Sequence, residues 1–168
     1  LFYDKNEDGV LSVAHWPKNK LPLFLFVDKE AVTIEGFTPI QLAKEAALLW
    51  KQVPGTRFHV QVDVLDKDIN AENFDKEVTI GDTVHEVIFE QKGALLKSLG
   101  LDPDFVSGIG LPITTENPKG DPGGPFAGEI VDGLVIINTQ FLVGAVMAKR
   151  LLAHEMGHVF GLGHTNVA

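Results

Sequence analysis

The sequence predicts an α+β domain, α/β-like in the order of its elements: one twisted, mostly parallel sheet of about five strands with two long helices. Three observations lead there. Short apolar or alternating runs recur between turn signals at 21–27, 58–65, 84–90, 106–114 and 128–138. Two longer stretches, 38–54 and 139–162, carry helical periodicity and helical end signals. The order is strand, helix, several strands, helix, and no repeat of solenoid length interrupts it. The 168 residues fit one domain, 1–168, with 1–20 as an N-terminal extension leading into the first sheet strand.

Each element has its own justification. LPLFLFV (21–27) reads as a buried strand. In FTPIQLAKEAALLWKQVPG, Thr38 is the expected N-cap, Pro39 takes the first helical position and Gln41 completes a capping box. Leu42, Ala46, Leu49, Trp50 and Val53 then share one face, and Pro54-Gly55 stops the helix. FHVQVDVL (58–65) alternates, with Phe58, Val60, Val62 and Val64 opposite His59, Gln61 and Asp63. VHEVIFE (84–90) is a third strand, and GALLKSLG a helical turn. VSGIGLPIT (106–114) is a weaker strand whose glycines predict bulging or close backbone approach. A Gly/Pro loop, TENPKGDPGGPFAG, separates it from a strand within GEIVDGLVIIN, and a long apolar helix follows from about 139 to 162.

Composition excludes several partners. With 14 basic and 23 acidic side chains the formal charge is −9, which disfavours both nucleic acid and an anionic membrane surface. The longest apolar runs fall far short of the roughly 20 residues a membrane helix needs, so no membrane insertion is expected. The absence of cysteine rules out disulfides and thiolate metal ligands within these residues. A start at Leu1 rather than Met leads us to expect a chain processed or cut from a longer one.

The chemistry is concentrated in AHEMGHVFGLGHTNVA, at 153–168. His154 and His158 are four apart, so a helix puts both imidazoles on one face, about 5–6 Å apart at Cβ. That spacing suits two ligands of one zinc ion, with Zn–N bonds of about 2.0–2.1 Å. Glu155 is rotated away from the pair, where it reaches a metal-held water rather than the metal, as the general base of an HExxH arrangement. Gly161 then predicts a left-handed break in the helix that swings His164 back as third ligand. Three imidazoles leave zinc a position for water, whose pKa falls from 15.7 toward about 7. Glu155 would take a proton from it and pass one to a leaving amine.

HEMGHVFGLGH resembles the metzincin zinc signature at all five fixed positions, His154, Glu155, His158, Gly161 and His164. The GLGHTN ending is most similar to the matrixins, in which a small hydroxyl residue such as Thr165 commonly follows the third histidine; astacins and adamalysins carry an acidic residue there. AHWPKNKLPLFLFVD, EAALLW, DKDI (66–69), VSGIGLPIT and GEIVDGLVIIN look like further matrixin segments, so the similarity spans most of the chain, with only the zinc signature sharp. The resemblance implies a secreted zinc endopeptidase with a sheet-and-helix N-terminal subdomain above the metal. It also implies that the fourth strand, near Ile109, Gly110 and Leu111, is the edge that pairs with an extended peptide or protein substrate. Metzincins carry a methionine turn after the third histidine. Here Met147 and Met156 both precede His164 and are read as packing inside the last helix. The expectation is therefore a piece lacking the turn and the C-terminal subdomain, with weak zinc binding and low activity on its own, because holding His164 costs about 1–2 kcal/mol of backbone entropy per residue.

Two weaker signals remain. Asp4, Asn6 and Asp8, followed by Gly9, resemble a calcium loop, but the twelfth position holds His15 instead of a bidentate glutamate. A solvated acidic turn is the other reading. Matrixins often hold a second, structural zinc; His59 and His85 are read instead as surface histidines. The leading expectation is thus a zinc-dependent endopeptidase with Glu155 as base. The alternative is a non-catalytic, zinc- or calcium-stabilised binding module of a larger extracellular protein.

Overall fold

The structure, a computed structural model, describes residues 3–5, 11–29, 32–54, 59–120 and 127–164. A short antiparallel hairpin, β1 (Tyr3–Lys5) and β2 (Leu11–Val13), comes first. There follow β3 (Leu23–Val27), α1 (Pro39–Lys51), β4 (Val60–Val64), α2 (Phe74–Glu77) and β5 (His85–Glu90). The remainder is α3 (Ala94–Ser98), β6 (Gly108–Thr114), β7 (Ile130–Asn138) and α4 (Ala145–Val159). One five-stranded sheet runs β4-β3-β5-β7-β6. β3 is parallel to β4 and β5, and β5 to β7; β6 alone is antiparallel, paired to β7 at one edge. The fold is mixed α/β with a mostly parallel sheet, as the sequence predicts.

Both long helices lie on one face of the sheet. Leu42, Ala43, Ala46 and Ala47 of α1 and Ala148, Leu152, Met156 and Val159 of α4 pack with Leu25, Val27, Val87, Phe89, Val135 and Ile137. The alternate side chains of the same strands, Ile88, Leu134 and Ile136, point to the other face, where Leu95 and Leu96 of α3 and Ile69 cover them. Two tryptophans tie α4 down: Trp50 Nε1 donates to the Ala153 carbonyl at 2.9 Å, and Trp16 Nε1 to the Val159 carbonyl at 2.8 Å.

Helix α1 begins as its capping box predicts, with the Thr38 amide donating to Gln41 Oε1 at 2.8 Å. Of its expected buried stripe, Leu42 and Ala46 are buried and Trp50 packs on the core, but the other two members turn outward. Leu49 and Val53 are 42 % and 45 % exposed, while Ala43 and Ala47 are buried. Alanines let α1 and α4 approach closely, which turns the larger side chains outward. Helix α4 starts at Ala145, not at 139. A 3-10 turn at Thr139–Phe141, capped by Asn138, precedes it, and Gly144 breaks the chain at φ 133°. The orphan amide of Ala145 finds its acceptor in Glu35 Oε2 at 2.9 Å. Met156 packs in the core, but Met147 is 44 % exposed, contrary to expectation. Phe58 and part of the GDPGGP loop lie outside the described residues.

His59 is exposed as expected; His85 is not. It is buried beside Trp16, with ring centroids 4.9 Å apart, and its Nδ1 donates to Asp132 Oδ1 at 2.6 Å. Next to it, Glu86 is also buried, and burial together with the Asp132 charge pushes its pKa from 4.5 up to about 8. Below pH 4.5 the side chain is protonated in both folded and unfolded chains and contributes no pH dependence. Between 4.5 and about 8 the unfolded chain releases the proton and the folded one keeps it, so stability falls as pH rises through that window. Glu86→Gln is expected to remove this slope and to stabilise the protein by about 1–3 kcal/mol at pH 8 but not at pH 4. Urea denaturation at the two pH values checks it.

Candidate metal centre

The C-terminal turns of α4 and the five residues after it, 160–164, build the site. Helical periodicity stacks His154 and His158 on one face, their rings 4.6 Å apart between centroids. The helix then closes in a Schellman turn: the Leu162 amide donates to the Gly157 carbonyl at 2.9 Å, and the Gly161 amide to the His158 carbonyl at 2.8 Å. Gly161 sits at φ 88°, as that turn requires, and a Cβ there would lie 2.7 Å from the Ala14 carbonyl oxygen. The turn reverses the chain and carries His164 back over the helix end.

His154, His158 and His164 thereby converge. Their three Nε2 atoms are each 3.1 Å from the other two. Three linear hydrogen bonds cannot close such a triangle, because its internal angles are far from those a donor needs. Points so spaced all lie about 1.8 Å from their common centre, within reach of one ion with bonds of about 2.0–2.1 Å. The donor chemistry fits as well. The Nδ1–H of His158 donates to the Leu162 carbonyl at 2.7 Å, which fixes the tautomer that turns the Nε2 lone pair toward the centre. Burial lowers the proton affinity of His154 and His158, and the neighbouring imidazoles lower it further. Among the described residues this is the one cluster of three or more histidine, cysteine or acidic side chains spaced to hold a metal.

Glu155 lies on the adjoining side of α4, 5 % exposed, and faces β6. Burial raises its pKa from 4.5 to about 7, opposed by a hydrogen bond from the Gly110 amide. This contact exists because β6 comes very close to the helix. Gly108 and Gly110, two apart on the strand, both face α4. A Cβ on Gly110 would lie 2.8 Å from the Glu155 carbonyl carbon and closer still to its oxygen. The glycines therefore mark close approach; the one register irregularity of β6 falls at Ile113/Thr114. Ile109 and Leu111 direct their side chains to the opposite cluster. What β6 presents to the cleft at these three positions is main chain, along an edge with no strand beyond it among the described residues. The three imidazoles, Glu155 and β6 line one cavity of about 430 Å³.

Sequence reasoning did not identify the Leu162 carbonyl or the two indoles that anchor α4; nothing in the spacing of those residues signals a partner. The GxG pair at 108 and 110 was legible as close approach, without its partner. Of the calcium reading, Asp4 falls on β1, opposite Ser12, while Asn6 and Asp8, like Thr165, lie outside the described residues. No helix among the described residues is long and apolar enough to cross a membrane. Searches against protein-family models, curated proteins and solved structures return no match to the chain.

Proposed function

We propose that this chain is a zinc-dependent endopeptidase of the metzincin kind, most similar to the matrixins, acting on peptides or proteins outside the cell. The observation that carries the reading is the convergence of His154, His158 and His164, with Nε2 atoms 3.1 Å apart, beside a buried carboxylate. His154, His158 and His164 would hold zinc. When bound, the ion supplies Lewis acidity toward a carbonyl oxygen and acidifies water. The free edge of β6 binds an extended peptide through its amides and carbonyls and lays one peptide bond across the cleft. Glu155, with a pKa of about 7, takes a proton from the attacking water on a carboxylate oxygen. It returns that proton to the amine nitrogen as the C–N bond breaks. The Gly110 amide keeps the carboxylate aimed into the cleft throughout.

Calorimetry should find one zinc per chain, and His158→Ala, which removes the most buried ligand, should weaken it by more than about 100-fold. Cleavage of a peptide mixture, read by mass spectrometry, should stop on chelation and return with one equivalent of zinc. Zinc binding without any cleaved bond would favour the binding-module alternative, and no zinc binding would remove the peptidase reading and the zinc-stabilised form of that alternative.

A further inference from the structure

The loop between α3 and β6 is clamped at many points. The amides of Phe105 and Val106 donate to the Asp102 carbonyl at 3.1 and 3.0 Å, and the Asp104 amide to Asp102 Oδ1 at 3.0 Å. Asn138, fully buried at the end of β7, donates through Nδ2 to the carbonyls of Pro103 and Val106 at 2.9 and 3.1 Å. Its own amide donates to the Ser107 carbonyl at 2.9 Å. Below, Pro103 packs on Gly93 so closely that a Cβ on the glycine would lie 2.9 Å from the proline Cγ. Yet Phe105, at the tip of this fixed loop, is 85 % exposed.

Its position gives that exposure a meaning. Phe105 lines the same cavity as His154, Glu155, His158 and His164. It is three residues before Gly108, whose added Cβ would meet Glu155 Cγ at 3.2 Å. An extended chain advances about 3.3 Å per residue, so Phe105 stands within about three residues of a peptide bond lying at Glu155. A lone exposed apolar residue is ordinary. An aromatic ring held out by a buried asparagine at the mouth of a cleft is a preorganised contact, and its use costs little ordering.

Building on the peptidase reading, we propose that Phe105 is a specificity-determining residue: it forms the wall of a subsite for a bulky apolar side chain, best an aromatic one, within three residues of the cleaved bond. The ring meets that side chain edge-on or offset, as aromatic pairs prefer. Because the strand edge binds main chain alone at Ile109–Leu111, side-chain selection on this side of the cleft falls to the residues just before the strand, of which Phe105 is the most exposed and the largest.

The test profiles cleavage of a randomised peptide pool by the zinc-loaded full chain and by Phe105→Ala and Phe105→Trp. The parent should prefer phenylalanine or leucine over serine at one position within three residues of the cut. Phe105→Ala should lower that preference about tenfold, and Phe105→Trp should retain it. A profile without such a position, or one unchanged in Phe105→Ala, overturns the inference while Glu155-dependent cleavage stands. If no Glu155-dependent cleavage occurs, the peptidase reading fails by itself. Binding of matched phenylalanine and serine peptides, followed by the fluorescence of Phe105→Trp, then decides: several-fold tighter binding of the aromatic peptide upholds the subsite, and equal binding removes it.

Discussion

Glu155→Gln is expected to slow peptide hydrolysis by about 10²–10⁴-fold while leaving zinc affinity and fold in place. The replacement keeps the volume of the side chain, and its carbonyl oxygen still accepts from the Gly110 amide. It touches none of the three Nε2 atoms. What it removes is the capacity to hold a proton and give it up. In the metal-free chain burial raises the carboxyl pKa from 4.5 to about 7. A neutral amide avoids the cost of keeping a carboxylate 5 % exposed, so the melting temperature of the variant should be no lower than the parent's. Equal cleavage rates for parent and variant, with zinc bound in both, would remove Glu155 from the reaction and the peptidase reading with it.

The site was legible where it is local. HExxHxxGxxH confines its five residues to one helix and one turn, so periodicity and the φ freedom of Gly161 foretell the convergence of the three rings. The parallel sheet was legible from alternation and from the spacing of strands and helices. What escaped depends on distant chain. Burial of His85 needs Asp132, 47 residues on, and the start of α4 at Ala145 needs Glu35, 110 residues earlier. The apolar face of α1 was legible at Leu42, Ala46 and Trp50 but misassigned at Leu49 and Val53, because the periodic pattern admits either those or Ala43 and Ala47, and only the proximity of α4 decides. The buried role of Asn138 has no local signal, since an asparagine ending a strand usually reads as a turn residue.

Gly110→Ala is expected to be the most damaging small substitution in the site. In an ordinary strand alanine would be tolerated or stabilising by about 0.4–1 kcal/mol, through its effect on the unfolded chain. Here the new methyl group would meet the main chain of Glu155, 2.8 Å from its carbonyl carbon. Backbone in the middle of a helix anchored by Trp16 and Trp50 cannot rotate aside as a flexible side chain does. Overpacking of this sort costs about 1–3 kcal/mol, and the upper end applies. In a domain of this length that lowers the melting temperature by about 6–12 °C. Gly108→Ala supplies the contrast. Its nearest obstacles are Glu155 Cγ and Ile137 Cδ1 at 3.2 Å, side-chain atoms that yield by small rotations, and the Ile136 carbonyl oxygen at 3.3 Å, which a shift of a few tenths of an ångström relieves, so its loss should be about 1 kcal/mol. The difference between the two variants separates close strand–helix approach from any general effect of alanine in β6. Prying β6 from α4 also breaks the hydrogen bond from Gly110 to Glu155, so Gly110→Ala should lose activity beyond its loss of folded protein. Equal melting temperatures for Gly110→Ala and Gly108→Ala would mean that β6 does not rest on the Glu155 backbone, and the carboxylate would then lack the amide that aims it.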